Sequence, residues 1–185
     1  MIGFGVNEKP LLILDVDETL VYGCEEALVD RVGGFRVGRF FVYRRPYLAS
    51  FLESVGSVFD LAVWSSALAR YVSGVVGAVF DDVSRLKFVW AADRCTPRYH
   101  PELQERFYLK NLKKVRRLGY SLERVLMVDD SPEKLSQHYG NHVRVRPFTG
   151  DPGDDELMRL TPFLVGLAGA ENFRVIEKRN WRAGK

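Results

Sequence analysis

The chain has 185 residues, 46% hydrophobic and 28% charged, enough to close one ordinary core without staples. Lys and Arg number 27 against 24 Asp and Glu, a balance that speaks against a disordered tail and gives little support for nucleic-acid or anionic-membrane binding. Cys24 and Cys95 make no disulfide framework, no apolar run approaches the roughly 20 residues of a bilayer span, and residues 1–10 lack a secretory leader's pattern. An intracellular protein, cytoplasmic or nuclear, is expected, neither secreted nor membrane-spanning.

Residues 11–14 form a short continuous apolar run, as in a strand buried on both faces. Residues 21–45 read as a hairpin insertion: two β-prone stretches, 27–32 and 35–43, flank Gly33-Gly34. Pro46 suits the first turn of a helix to about residue 54. Residues 59–64 are a second strand, 67–76 have helical periodicity, and 86–90 resemble another strand. A helix is expected over 102–118, with apolar positions at Leu103, Phe107, Leu109, Leu112, Val115 and Leu118 and Gly119 as its stop. Residues 124–128 are a third buried strand, a short helix follows Ser131-Pro132, and 142–145 add an edge strand. Strands alternating with helices predict an α/β fold with a central parallel sheet. One domain is expected over 1–185, with residues 170–185, basic from Glu177, as a flexible tail or a docking element.

In such sheets, ligands bind beyond the carboxyl ends of the strands. Three apolar strands run straight into polar clusters: Asp15-Val16-Asp17-Glu18-Thr19, Ser65-Ser66 and Asp129-Asp130-Ser131. Asp15 and Asp17, two apart on extended backbone, point the same way. Carboxylates gathered on one rim are costly unless a cation sits between them. Oxygen ligands from separate strands suit Mg²⁺ better than zinc, and no His/Cys cluster competes. A lone aspartate pair would read as turn formers or helix caps; two pairs, each after an apolar strand, read as a metal site.

These residues resemble a known family. Leu14-Asp15-Val16-Asp17-Glu18-Thr19-Leu20-Val21 is similar to the DxDx(T/V) signature of haloacid-dehalogenase-like phosphatases, in the D-x-D-E-T-L-V form of the NLI-interacting-factor group, which includes phosphatases of the RNA polymerase II C-terminal domain. Residues 63–71 resemble the family's strand-end Thr/Ser and helix, 108–112 its lysine segment, and 128–132 its acidic D-D-S-P segment. Arg94-Cys95-Thr96 resembles a short stretch before the lysine. Ser65 stands where the family often has Thr, Asp130 where many members have Asn, and Asn111 where Asp is common. The resemblance implies a Rossmann-like three-layer sandwich and a phosphatase that uses an aspartate nucleophile and Mg²⁺.

Each residue then has an expected role. Asp15 attacks phosphorus, and Asp17 protonates the leaving group and later takes a proton from water. Asp15, Asp130 and the backbone carbonyl of Asp17 hold Mg²⁺, with Asp129 behind them. Ser65, the Ser66 amide and Lys110 bind phosphate, and Thr19 fixes the loop. Lys113, Lys114, Arg116 and Arg117 read as a solvated face or a dock for an acidic peptide. His138 and His142 read as surface residues, because Gly140 between them argues against a helical ligand pair, and Cys95 as a small packed residue.

Neither 21–45 nor 72–101 is long enough for a large cap, so an open cleft and a phosphorylated protein or peptide are expected. Phe35, Phe40, Phe41 and Tyr43 offer an apolar wall or simply pack the hairpin. No membrane and no direct nucleic-acid partner is expected. A small-molecule or nucleic-acid-end phosphatase, a silent binding module such as the mitochondrial import receptor relatives, and a response-regulator-like domain are the alternatives.

Overall fold

The computed structural model describes residues 9–29, 31, 33–100 and 104–183. In chain order its strands are β1 (Leu11–Leu14), β2 (Val21–Cys24), β3 (Phe35–Val37), β4 (Phe40–Arg44), β5 (Asp60–Trp64), β6 (Val89–Trp90), β7 (Thr96–His100), β8 (Glu105–Leu109), β9 (Val125–Asp129) and β10 (His142–Arg144). The helices are α1 (Leu48–Val58), α2 (Ala69–Val79), α3 (Lys113–Arg116) and α4 (Glu156–Leu167).

Five strands make a parallel sheet in the order β10-β9-β1-β5-β6. Leu11 and Ile13 face one way with Ala62, Trp64, Val125 and Met127, beneath Leu112, Val115, Leu122 and Leu135. Leu12 and Leu14 face the other way, beneath Phe51 and Val55 of α1, Val72 and Val76 of α2, and Leu160 and Leu164 of α4. Covered on both faces, β1 has no polar alternation, which is why it reads as a plain apolar run. The result is the expected three-layer α/β sandwich. Chain order reverses direction around β1, with β5 on one side and β9 on the other. Their carboxyl ends therefore open a crevice at a topological switch point.

The insertion between β1 and β5 is a three-stranded antiparallel sheet, β2-β4-β3. Its tight turn is Gly38-Arg39, not Gly33-Gly34: Gly38 has φ 60°, the left-handed backbone a two-residue hairpin turn requires. Residues 27–29 are loop, and Asp30 and Val32 of the expected strand lie outside the described residues.

The helix expected over 102–118 is corrected. Its first half is β8, paired antiparallel with β7, and only 113–116 are helical. Leu109, Leu112 and Val115 are buried as the periodicity required, but they close a strand end and a single turn rather than one helix face. Leu103 lies outside the described residues. α4, passed over in the sequence, carries Pro162 in its interior, a residue that ordinarily counts against a helix. In place of a loose tail, Phe173, Lys178 and Trp181 are buried, and Arg182 pairs with Glu156. Among the described residues, no helix is long and apolar enough to cross a membrane.

Candidate active site

β1 delivers Asp15 to the crevice with its side chain almost wholly buried, and its N–H extends the ladder to the Val128 carbonyl at 3.0 Å. The chain then closes a tight loop. Leu20 N–H and Val21 N–H both donate to the Val16 carbonyl, and Glu18 takes the left-handed region at φ 57°. Arg45, fully buried, clamps this loop from outside. Its guanidinium donates to the carbonyls of Thr19 and Arg146 at 3.1 and 2.9 Å and forms a two-pronged pair with Asp154, 2.8 Å for each bond. The Thr19 hydroxyl, expected to fix the loop, has no hydrogen-bond partner among the described residues; its carbonyl is the group held.

Two lysines face the acidic rim. Lys110, at the end of β8, is fully buried, and its ammonium lies 2.6 Å from Asp15 Oδ1 and 2.6 Å from Asp129 Oδ2. Its backbone N–H donates to the Lys134 carbonyl at 2.8 Å, which ties β8 to the turn after β9. Lys134, to which the sequence reading assigned no role, sets its ammonium 3.5 Å from Asp15, 3.6 Å from Asp129 and 3.8 Å from Asp130. Burial alone would lower the pKa of this ammonium, but the three carboxylates outweigh it and hold the pKa above the usual lysine range.

Carboxylate oxygens of Asp15, Asp129 and Asp130 lie within 4.8 Å of one another, an all-oxygen set of the kind a hard divalent cation takes. Asp130 Oδ1 is buried and accepts no hydrogen bond among the described residues. Both Asp129 oxygens already accept one, from Lys110 and from the Ser131 N–H. The set therefore fits a cation: among the described residues Asp130 Oδ1 is the one of these oxygens without a hydrogen bond, while Asp15 accepts from Lys110 and, at 3.5 Å, from Lys134.

Asp17 turns away from this group. Its carboxylate accepts a bond from the Tyr71 hydroxyl at 2.7 Å and lies 3.5 Å from Ser65 Oγ. Burial raises its pKa, with the Tyr71 bond opposing and the Asp15 charge adding to the rise. A side chain at Gly23 would stand 2.5 Å from the Tyr71 hydroxyl, so the bare glycine leaves room for that contact. Tyr71 lies within the 63–71 segment, yet nothing local in the sequence marks it as a partner of Asp17. Phe40 packs edge-on against Tyr71, ring centroids 5.4 Å apart, whereas Phe41 lies on the opposite face of β4 beneath Arg36. Tyr43 is buried, and its hydroxyl accepts from the Leu28 N–H. Phe35, opposite Val42 in the register, shares the Phe40 face, so the four aromatics divide between two faces and make no single wall.

Ser65 is buried and its hydroxyl accepts from the Ala67 N–H at 3.0 Å, shaping the turn before α2; Ser66 is part-exposed beside it. Cys95 is packed, and burial pushes its thiol up. His138 and His142 are not surface residues. His138 is buried against Asn111 Oδ1 at 3.1 Å, and His142 meets the Asp129 carbonyl at 2.9 Å. Burial lowers the pKa of both rings, and among the described residues they share no hydrogen-bond partner. Asn111 also accepts from the Lys113 N–H, which gives that departure from the family pattern a structural role.

Comparison with known proteins bears on this site. The chain is 28% identical over 174 residues to CTD small phosphatase-like protein 2 of Dictyostelium discoideum, covering 91% of this chain and 29% of that protein. It is 27% identical to CTD nuclear envelope phosphatase 1B of Danio rerio, covering 94% of this chain and 73% of that protein. It is 29% identical to the human CTD small phosphatase-like protein, of which it spans 56%. Among solved structures, fission yeast RNA polymerase II CTD phosphatase Fcp1, an arginine variant bound to beryllium fluoride, superposes with a TM-score of 0.59 at 16% identity, covering 86% of this chain and 50% of that one. That likeness bears on the fold. The family model described as NLI interacting factor-like phosphatase matches residues 10–174, and the chain belongs to that family.

Proposed function

We propose that the chain hydrolyses phosphomonoesters through an aspartyl phosphate on Asp15, with Mg²⁺ as cofactor and phosphoserine or phosphothreonine of a protein as substrate. The observation that carries this reading is the pairing of Asp15 with the fully buried Lys110 at 2.6 Å, beside a second carboxylate, Asp17, held by different partners. One carboxylate is oriented by a cation, and the other sits in a part-buried niche that favours its protonated form. Nucleophile and proton donor need those two environments.

In this reading an Asp15 oxygen forms a bond to phosphorus while the bond to the leaving oxygen breaks, and Asp17 passes its proton to that oxygen. Water then attacks the acyl phosphate and gives a proton back to Asp17, which restores the starting state. Mg²⁺, held by Asp15, Asp130 and the Asp17 carbonyl, would offset the repulsion between a phosphate dianion and the carboxylates. Lys110, the Ser65 hydroxyl and the Ser66 amide donate to the phosphate oxygens. Asp17→Asn is expected to lower kcat by about 10²–10⁴-fold on serine phosphates and far less on aryl phosphates, whose leaving groups need no proton. Equal losses on both would remove Asp17 from the acid role.

The substrate class rests on what surrounds the crevice. Among the described residues the insertion after β1 contributes strands of four, three and five residues, too little for a lid over a metabolite. Names of the similar proteins, CTD phosphatases, point the same way. The test is kcat/KM for a panel of phosphoserine peptides against free phosphoserine and a sugar phosphate, each with and without Mg²⁺. Peptides are expected to win, because contacts along the chain contribute in the transition state. Phe40→Ala should narrow that gap. Free phosphoserine or a sugar phosphate turned over as well as every peptide would move the reading to a small-molecule phosphatase. Full turnover in chelator would end the Mg²⁺ assignment.

A further inference from the structure

The two lysines of the rim divide its oxygens between them. Lys110 takes Asp15 Oδ1 and Asp129 Oδ2 at hydrogen-bond distance, both 2.6 Å. Lys134 faces the other set, Asp15 Oδ2, Asp129 Oδ1 and Asp130 Oδ1, at 3.5, 3.6 and 3.8 Å. Those three distances are nearly equal and all long. Only the Asp15 contact reaches hydrogen-bond range, at its outer limit, so the ammonium is held centrally and chiefly by charge. It is also the nearest cation to the orphaned Asp130 Oδ1.

The rest of the residue is placed differently. Lys134 stands in the short turn Pro132–Leu135, its carbonyl fixed by the Lys110 N–H and its own N–H donating to Ser131. Its side chain is 21% exposed, whereas that of Lys110 has no exposure. A four-carbon stem on a fixed backbone lets the ammonium swing out to water without disturbing the turn. Lys110 has no such exit.

We propose that Lys134 is a displaceable internal counter-ion that occupies, by charge, the position of the divalent cation and so weakens the site's affinity for it. The inference rests on the reading that Asp15 and Asp130 hold Mg²⁺. With three carboxylates and two ammonium groups, the metal-free rim is left with one net negative charge. Mg²⁺ binds carboxylate oxygens at about 2.0–2.1 Å, so an ammonium less than 4 Å from the same oxygens would lie against a doubly charged ion. The two cannot share the position. Metal uptake is therefore an exchange of one cation for another, and its affinity is reduced by whatever holds Lys134 in place.

The test is calorimetric titration of the full chain with MgCl₂ alone, at fixed ionic strength and without substrate. Lys134→Met is expected to bind Mg²⁺ roughly tenfold more tightly than wild type. The exposed Lys113→Met, which removes the same charge outside the rim, should stay within about twofold. Thermal melts should agree: metal-free Lys134→Met melts lower than wild type, and Mg²⁺ raises its Tm by more. Unchanged or weaker binding in Lys134→Met, where wild type binds, overturns the inference alone. So does equal tightening in Lys113→Met. No uptake by either protein removes the Mg²⁺ reading and this inference with it. Should the methionine variant fail to fold without metal, the wild-type Lys134 ammonium is followed by ¹⁵N NMR. Its signal must move and lose its hydrogen-exchange protection as Mg²⁺ is added, and a signal indifferent to Mg²⁺ overturns the inference.

Discussion

Asp15→Asn is expected to lose at least about 10⁴-fold in kcat on aryl phosphates and phosphopeptides alike, with a melt close to wild type. The amide is the same size as the carboxylate but does not attack phosphorus, so no leaving group rescues it. The fold should tolerate the change because Lys110 keeps its partner in Asp129, 2.6 Å away. Its backbone N–H also still binds the Lys134 carbonyl. Two measurements check this: turnover in excess Mg²⁺, and a thermal melt by circular dichroism. Substantial residual turnover would remove Asp15 as nucleophile, whereas a collapsed melt would show that its charge is needed for folding.

Lys110→Met should fail on both counts. Removing one partner of a buried ion pair typically costs about 3–5 kcal/mol, because the charge left behind has lost both water and its counter-ion. Here two carboxylates are left, Asp15 and Asp129, each almost without exposure. Lys134 stands close enough to compensate in part, so the loss should sit at the lower end of that range. Under the proposed function activity should fall as well, since Asp15 loses the cation that orients it. The contrast is diagnostic: Asp15→Asn loses chemistry and keeps stability, while Lys110→Met loses both. Denaturant titration alongside turnover reads the difference. A methionine variant as stable as wild type would mean that the ion pair does not hold the rim together.

What could be read in advance follows the range of the interactions. The strands β1, β5 and β9 announce themselves because burial on both faces leaves continuous apolar runs, and each ends in the polar residues that meet in the crevice. Pairing between β7 and β8 is different. Its register, Thr96 opposite Leu109 through His100 opposite Glu105, depends on a partner that local periodicity does not contain. Phe107, Leu109, Leu112 and Val115 therefore mimic a helix. At the site, Asp15, Asp17, Ser65, Asp129 and Asp130 are legible as strand-end motifs, and Lys110 only through its Tyr-Leu-Lys-Asn-Leu segment, because the strand that carries it reads as helix. Lys134 and Tyr71 are not, because their meaning lies in contacts with Asp15 and Asp17, 119 and 54 positions away. His138 misleads for the opposite reason: a histidine two residues before a glycine reads as surface, yet it is buried with its ring bonded to Asn111.

The clamp formed by Arg45 sets an order of events during synthesis. Asp154 and the Arg146 carbonyl lie 109 and 101 positions beyond Arg45, and both are needed to saturate its guanidinium. Until they arrive, the Arg45 guanidinium beneath the Glu18-Thr19 peptide lacks most of its acceptors, and the loop that follows Asp15 has no outer wall. At a ribosome adding roughly 5–20 residues per second, at least about five seconds separate translation of Arg45 from that of Asp154. The earliest-made part of the rim is thus among the last to become rigid. A chain made only through Asp130 already carries β1, both its neighbours and the acidic residues, without the clamp that fixes the loop after Asp15.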